Sequence, residues 1–232
     1  MDVELIVFDC DGVLVDSERL SAEVLRDMAA ELGIAFTSGA ALEHLRGRKV
    51  AEWVAELAGL RRGGVPADFT DEFRRRTAEA FDAQLVPVPG VREVLDVVDV
   101  PYCVASSAPL HKIHHTLGLT GLLSYFGDRV HSAYEVGSWK PDPDLFLHAA
   151  RDAGVDPAHC VVVEDSVPGV RAGVAAGMTV LGYAPPGSGM GPVLAERGAH
   201  PFPAMSELPR LIDRLRSSGG LVDAVAHPSA AS

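Results

Sequence analysis

Short, uninterrupted apolar runs recur along this chain, and several of them stop abruptly on polar residues. The runs at 5–9, 102–106, 130–132, 160–165 and 179–183 have strand length and little alternation, which suits strands buried on both faces. Apolar residues at helical spacing lie between most of them, at 91–98, 109–117, 142–153 and 170–176. Strand and helix alternating in this way predict an α/β fold with a parallel sheet covered on both sides. The Pro/Gly-rich stretch 184–192 reads as a loop.

One stretch breaks the alternation. From Ser17 to Pro87 the patterning is helical only. Leu20, Val24, Met28 and Leu32 recur every four residues before Gly33 stops the run, a second pattern covers 49–58, and Phe69, Phe73, Thr77 and Phe81 stripe a third. The division expected is an α/β core at 1–15 and 88–216, a helical cap at 16–87 inserted after the first strand, and a flexible tail at 217–232. A cap placed there stands over the end of the first strand, where it can exclude water and add substrate contacts.

Composition narrows the function. The 232 residues carry a formal net charge of −12, which argues against nucleic acid as a partner. No apolar run approaches the ~20 residues of a membrane span. The N-terminal residues lack the pattern of a signal peptide, so the cytoplasm is the expected location. Three widely spaced cysteines in apolar runs read as buried hydrophobes rather than a disulfide framework or zinc site.

The chemistry lies where the runs end. Asp9 and Asp11 follow the first run, Ser106 and Ser107 the second, Glu164 and Asp165 the fourth. In a parallel sheet these ends share one edge, and ligands of open α/β sheets bind there. Gly12 lets the chain turn sharply after the two acids. Lys140 sits in Gly137-Ser138-Trp139-Lys140-Pro141-Asp142-Pro143, where the prolines stiffen the loop and aim the lysine. Crowded carboxylates lose charge by protonation or by binding a cation. Hard oxygen donors around a phosphate suit Mg²⁺. One aspartate can attack phosphorus, and a second acid can protonate the leaving oxygen and later deprotonate water. Ser106 and Lys140 can donate to the phosphoryl oxygens. The set reads as a phosphoryl-transfer site.

These residues strongly resemble the motifs of the haloacid dehalogenase superfamily. Asp-Cys-Asp-Gly-Val-Leu-Val-Asp-Ser-Glu at 9–18 is similar to its first motif, Ser106 to the second, Lys140 to the third and Glu164-Asp165 to the fourth. The resemblance covers nearly the whole chain and implies a Rossmann-like parallel sheet core. The helical insert resembles the capped subgroup that contains β-phosphoglucomutase and small sugar phosphatases. By that resemblance Asp9 is the nucleophile and a Mg²⁺ ligand, and Asp11 is the general acid/base whose carbonyl also binds the metal. Asp165 coordinates the metal, Glu164 coordinates or supports it, and Ser106 and Lys140 hold the phosphoryl group. Ser107, next to Ser106, either lends a backbone donor to that group or takes no part. The stretches at 103–108 and 138–143 look most like a sugar-acid phosphatase of the 6-phosphogluconate type.

The implied activity is a Mg²⁺-dependent phosphatase for a small phosphorylated sugar or sugar acid. The sequence leaves the oligomeric state open, with a monomer the working expectation. The nearest rival is a phosphosugar mutase. Ser21 stands where the mutase has a cap histidine, and Val50 where it has a basic residue. A dehalogenase, a phosphonatase and a non-catalytic phosphometabolite sensor are more distant readings. Arg46 and Lys49, with Arg48 between them in the sequence Arg46-Gly-Arg-Lys49, form a cap cluster that either binds a carboxylate or distal phosphate of the substrate or is a solvated face. Asp16 is expected to cap the first cap helix, Asp142 and Asp144 to serve a helix N-terminus, and Arg74 to Arg76 to form a solvated face.

Overall fold

The computed structural model describes residues 2–37, 39–41 and 50–218. Six parallel strands form one sheet in the order β3-β2-β1-β4-β5-β6. They are β1 Leu5–Phe8, β2 Tyr102–Ser106, β3 Val130–Ser132, β4 Cys160–Glu164, β5 Thr179–Tyr183 and β6 His200–Phe202. Phe8 is in register with Val104 of β2 on one side and Val163 of β4 on the other. Side chains alternate between the two faces of a strand. Ile6, Phe8, Val104, Val161 and Val163 therefore enter one hydrophobic cluster, while Leu5, Val7, Cys103 and Val162 enter the other. This double burial explains why the strands read as unbroken apolar runs.

The strand order reverses direction between β1 and β4, the topological switch point at which open sheets leave a crevice. Both candidate acid pairs sit at the ends of these two strands. The central position of β1 and β4 is what brings Asp9 and Glu164, 155 positions apart in sequence, to one place.

Between β1 and the Val91–Val97 helix the structure contains the helices Ser17–Glu31, Val50–Gly59 and Phe69–Gln84. A separate hydrophobic cluster holds them together, built around Leu25, Met28, Trp53, Leu57, Phe69 and Phe73. Trp53 meets Phe73 edge-on at 4.9 Å between ring centroids and Phe69 at 6.4 Å. Leu20 and Phe81, near the two ends of this segment, join the cluster of the sheet instead. The Phe69, Phe73, Thr77 and Phe81 stripe is buried as its spacing predicts. Arg46 and Lys49 lie outside the described residues, as does the chain beyond Ser218.

Three details differ from the sequence reading. The 184–192 stretch is a loop only as far as Gly189, because the helix Met190–Ala195 begins inside it. Pro192 falls in the first turn of that helix, where its missing N–H goes unused. The three-residue β6 contains Pro201, and a short run with proline gives no strand signal; it is tolerated because β6 is an edge strand. The helix Leu208–Ser218 runs two residues into the expected tail. The three cysteines are free and buried, as expected. Among the described residues no helix is long and apolar enough to cross a membrane.

Candidate active site

Asp9 continues the β1 ladder by donating its N–H to Val163 O at 3.0 Å, so its backbone position is set by β4. The chain then turns back on itself, with Leu14 N and Val15 N both donating to Cys10 O. Gly12 has φ +82°, and a Cβ there would run into the Asp165 carboxylate. Glycine is thus required twice over, for the left-handed backbone and for the close approach of the two loops.

Lys140 reaches into the centre of this group. Its Nζ donates to Asp9 Oδ1 at 2.5 Å, to Glu164 Oε1 at 2.7 Å and to Ala105 O at 3.0 Å. All three ammonium donors are engaged. The ammonium also lies 4.9 Å from the centroid of the Phe146 ring. Burial alone would lower the Lys140 pKa, but the Asp9 and Glu164 carboxylates outweigh it and keep the lysine charged. Burial pushes the Asp9 carboxyl up to about 7; Lys140 opposes that rise, and the neighbouring Glu164 and Asp11 charges add to it.

Glu164 is fully buried. Its Oε2 accepts from Asp165 N, Ser166 N and Ser166 Oγ, each at 2.9 Å, while Oε1 takes Lys140. Gly169, in the helix Val167–Ala175, packs so closely beneath it that a Cβ would overlap the carboxylate. Gly169→Ala is therefore expected to cost about 3 kcal/mol of stability through overpacking and to lower activity by displacing Glu164 and, through it, Lys140. Urea unfolding checks the first part, and a midpoint equal to wild type would contradict it.

Asp9, Glu164 and Asp165 each offer a carboxylate oxygen, and these ligand atoms lie within 4.8 Å of one another. An all-oxygen anionic donor set of this size fits a hard divalent cation such as Mg²⁺. Asp9 and Asp165 suit the ligand role better than Glu164, whose oxygens already accept from four donors.

Asp11 stands beside this centre with a different set of partners. Lys112 Nζ lies 3.2 Å from Oδ1 and 3.1 Å from Oδ2, and Ser17 Oγ donates to Oδ1 at 2.5 Å. Burial would raise the Asp11 pKa, but Lys112 and Ser17 outweigh it and hold the carboxyl below its usual value. Ser106 is buried at the end of β2, its Oγ accepting from Ala108 N at 3.1 Å, and Ser107 beside it is exposed. Ser21 turns its hydroxyl to Ser17 O at 2.9 Å.

Sequence reasoning missed Lys112, the Ser17 contact and the role of Gly169. Lys112 had one available signal. It lies in the first turn of the helix Leu110–Leu119, directly after the β2 loop. A cation in a first turn opposes the helix dipole, so it breaks a local rule at the functional edge. Asp16 departs from expectation: it occupies the N-cap position without a side-chain cap bond, and its carboxylate pairs with Arg19 at 2.9 Å. Asp144 opens its helix and accepts from Ser138 Oγ at 3.0 Å. Arg74 and Arg75 are exposed as expected and Arg76 is half-buried; Arg74 pairs with Asp71, Arg75 and Arg76 pair with Glu72, and Arg76 also reaches Glu31.

The match to a family model, haloacid dehalogenase-like hydrolase, spans residues 3–177. The chain belongs to that family. It is 35% identical to 6-phosphogluconate phosphatase from Escherichia coli over 181 residues, covering 77% of this chain and 81% of the relative. A conserved haloacid dehalogenase-like protein from Agrobacterium tumefaciens superposes with a TM-score of 0.86 at 31% identity, covering 93% of this chain and 100% of that one. A haloacid dehalogenase family hydrolase from Deinococcus radiodurans, solved with bound phosphate and sodium, gives 0.80 at 31% identity, covering 91% and 96%. In this haloacid dehalogenase-like hydrolase the four motifs sit on one edge of the sheet, with the first and fourth at its switch point.

Proposed function

We propose that this hydrolase is a Mg²⁺-dependent phosphatase for a small phosphorylated sugar or sugar acid, working through an aspartyl phosphate on Asp9. The observation that carries this reading is the Asp9–Lys140–Glu164 chain of charged hydrogen bonds beside Asp165, with Asp11 held apart on its own donors. The similarity to 6-phosphogluconate phosphatase supports the substrate class.

Asp9 attacks phosphorus, the bond to the ester oxygen breaks, and Asp11 gives its proton to that oxygen as it leaves. Asp11 then takes a proton from water, which attacks the phosphorus and breaks the bond to Asp9, releasing phosphate and restoring both side chains. The Lys112 contact favours the base form needed in the second half, and donation in the first half requires that contact to loosen. Lys140 orients Asp9 and neutralises charge around it, and Ser106 supplies a hydroxyl donor at the phosphoryl group. Glu164 acts through Lys140 as a positioning residue. When bound, Mg²⁺ withdraws electron density from the phosphoryl oxygens and offsets the charge of the carboxylates. Asp9, Asp165 and the Asp11 carbonyl would hold it, with Glu164 in support. Residues 16–87 act as the cap: the described helices among them share a hydrophobic cluster of their own, which suits movement as a unit about the ends where Leu20 and Phe81 join the cluster of the sheet.

Phosphate release from a panel of sugar phosphates, with Mg²⁺ and with chelator, tests this. Release is expected with Mg²⁺ and its loss by at least about tenfold with chelator, in line with the effect of losing metal-site partners. Equal rates in both would remove the cation from the reaction.

A further inference from the structure

Two lysines serve this site, and they are mounted differently. The Lys140 side chain is 5% exposed, whereas the Lys112 side chain is 37% exposed. Lys112 leans over the Phe81 ring, 5.8 Å from its centroid, so it stands where the last cap helix meets the sheet domain. Its two contacts to the Asp11 carboxylate use two of three ammonium donors and leave one for a ligand.

Position gives that donor a meaning. A leaving-group acid must lie within hydrogen-bond reach of the ester oxygen. Lys112 lies one contact beyond Asp11 from the Asp9–Lys140–Glu164 group, beside the helix that carries Phe81. The chain carries a net charge of −12, and four carboxylates crowd the site. A negative substituent there is repelled unless a local cation receives it. Among the described residues Lys112 is the partly exposed cation in contact with this acid set. A lysine in a helix first turn also works against the helix dipole, so its placement needs a compensating contact.

We propose that Lys112 is a specificity-determining residue that binds a carboxylate on the substrate, making phosphorylated sugar acids the preferred class. The inference rests on the phosphatase reading above and narrows it.

The test compares 6-phosphogluconate with sorbitol 6-phosphate, which have the same carbon chain and differ chiefly in a carboxylate against a hydroxymethyl group. Wild type is expected to favour the acid in kcat/KM. Lys112→Met should cut that preference by about tenfold to a hundredfold, as for a lost charged hydrogen bond, with the change in KM. Lys112→Arg should retain part of it. Because Lys112 also touches Asp11, both rates can fall, and the ratio between substrates is the readout. If Lys112→Met is too slow to measure, binding of the two esters is compared in an Asp9→Asn background with and without Lys112→Met. There the acid should lose affinity and the alcohol should not. A preference for sorbitol 6-phosphate in wild type, or a ratio unchanged by Lys112→Met, overturns the role of Lys112 and leaves the phosphatase intact. Hydrolysis of no phosphate ester at all would instead overturn the phosphatase reading.

Discussion

Asp9→Asn is expected to abolish phosphate release, by roughly 10³-fold or more, the scale for loss of a nucleophile. The amide has the shape of the carboxyl group but cannot form the acyl phosphate. The fold should survive, and stability gives a second readout. In the metal-free protein the Asp9 pKa is raised from 3.8 to about 7, chiefly by burial. A carboxyl raised on folding favours the native state below its unfolded pKa, and that advantage is lost as pH rises through the folded value. Above pH 7 without metal the ionised Asp9 therefore strains the site, and Asp9→Asn should melt no lower than wild type. Thermal melts at pH 8 with chelator check this. A variant that keeps its turnover would place the nucleophile elsewhere, and one that melts far below wild type would show that the Asp9–Lys140 contact outweighs the cost of burial.

Lys140→Met is expected to combine loss of activity with a large loss of stability. It leaves Asp9 and Glu164 buried together with no ammonium between them. Removing one partner of a buried charged pair costs about 3–5 kcal/mol. The cost depends on pH, because Asp9 can escape by taking a proton. Denaturant unfolding without metal should show the full loss near pH 8 and a smaller one well below pH 7. A small, pH-independent loss would mean that solvent reaches these carboxylates.

The same reasoning separates what could be read from the chain and what could not. Asp9, Ser106, Lys140, Glu164 and Asp165 were legible as candidates because four of them stand where an apolar run ends and Lys140 sits in a proline-stiffened loop, and a parallel sheet collects strand ends on one edge. Lys112 was legible only as a cation misplaced in a helix first turn, and not as the partner of Asp11. Its relation to Asp11 spans 101 residues and depends on how the helix after β2 packs against the turn after β1. The double engagement of Glu164 was hidden for a similar reason. Its Oε2 is held by donors of the next two residues, two backbone N–H groups and the Ser166 hydroxyl, but Oε1 is taken by a side chain 24 residues away. Gly169 gave no signal because its constraint is a carboxylate from the preceding strand, and not its own backbone angle.

Local patterning alone determined the layered α/β architecture, the helical insert after β1 and the residue types gathered for phosphoryl chemistry. Periodicity and turn chemistry act over a few residues and so are written in the chain directly. Tertiary packing decided which charge meets which: Lys140 buried between Asp9 and Glu164, and Lys112 set outward against Asp11. Electrostatic pairing depends on distance and burial, and both quantities exist only once remote segments have been brought together.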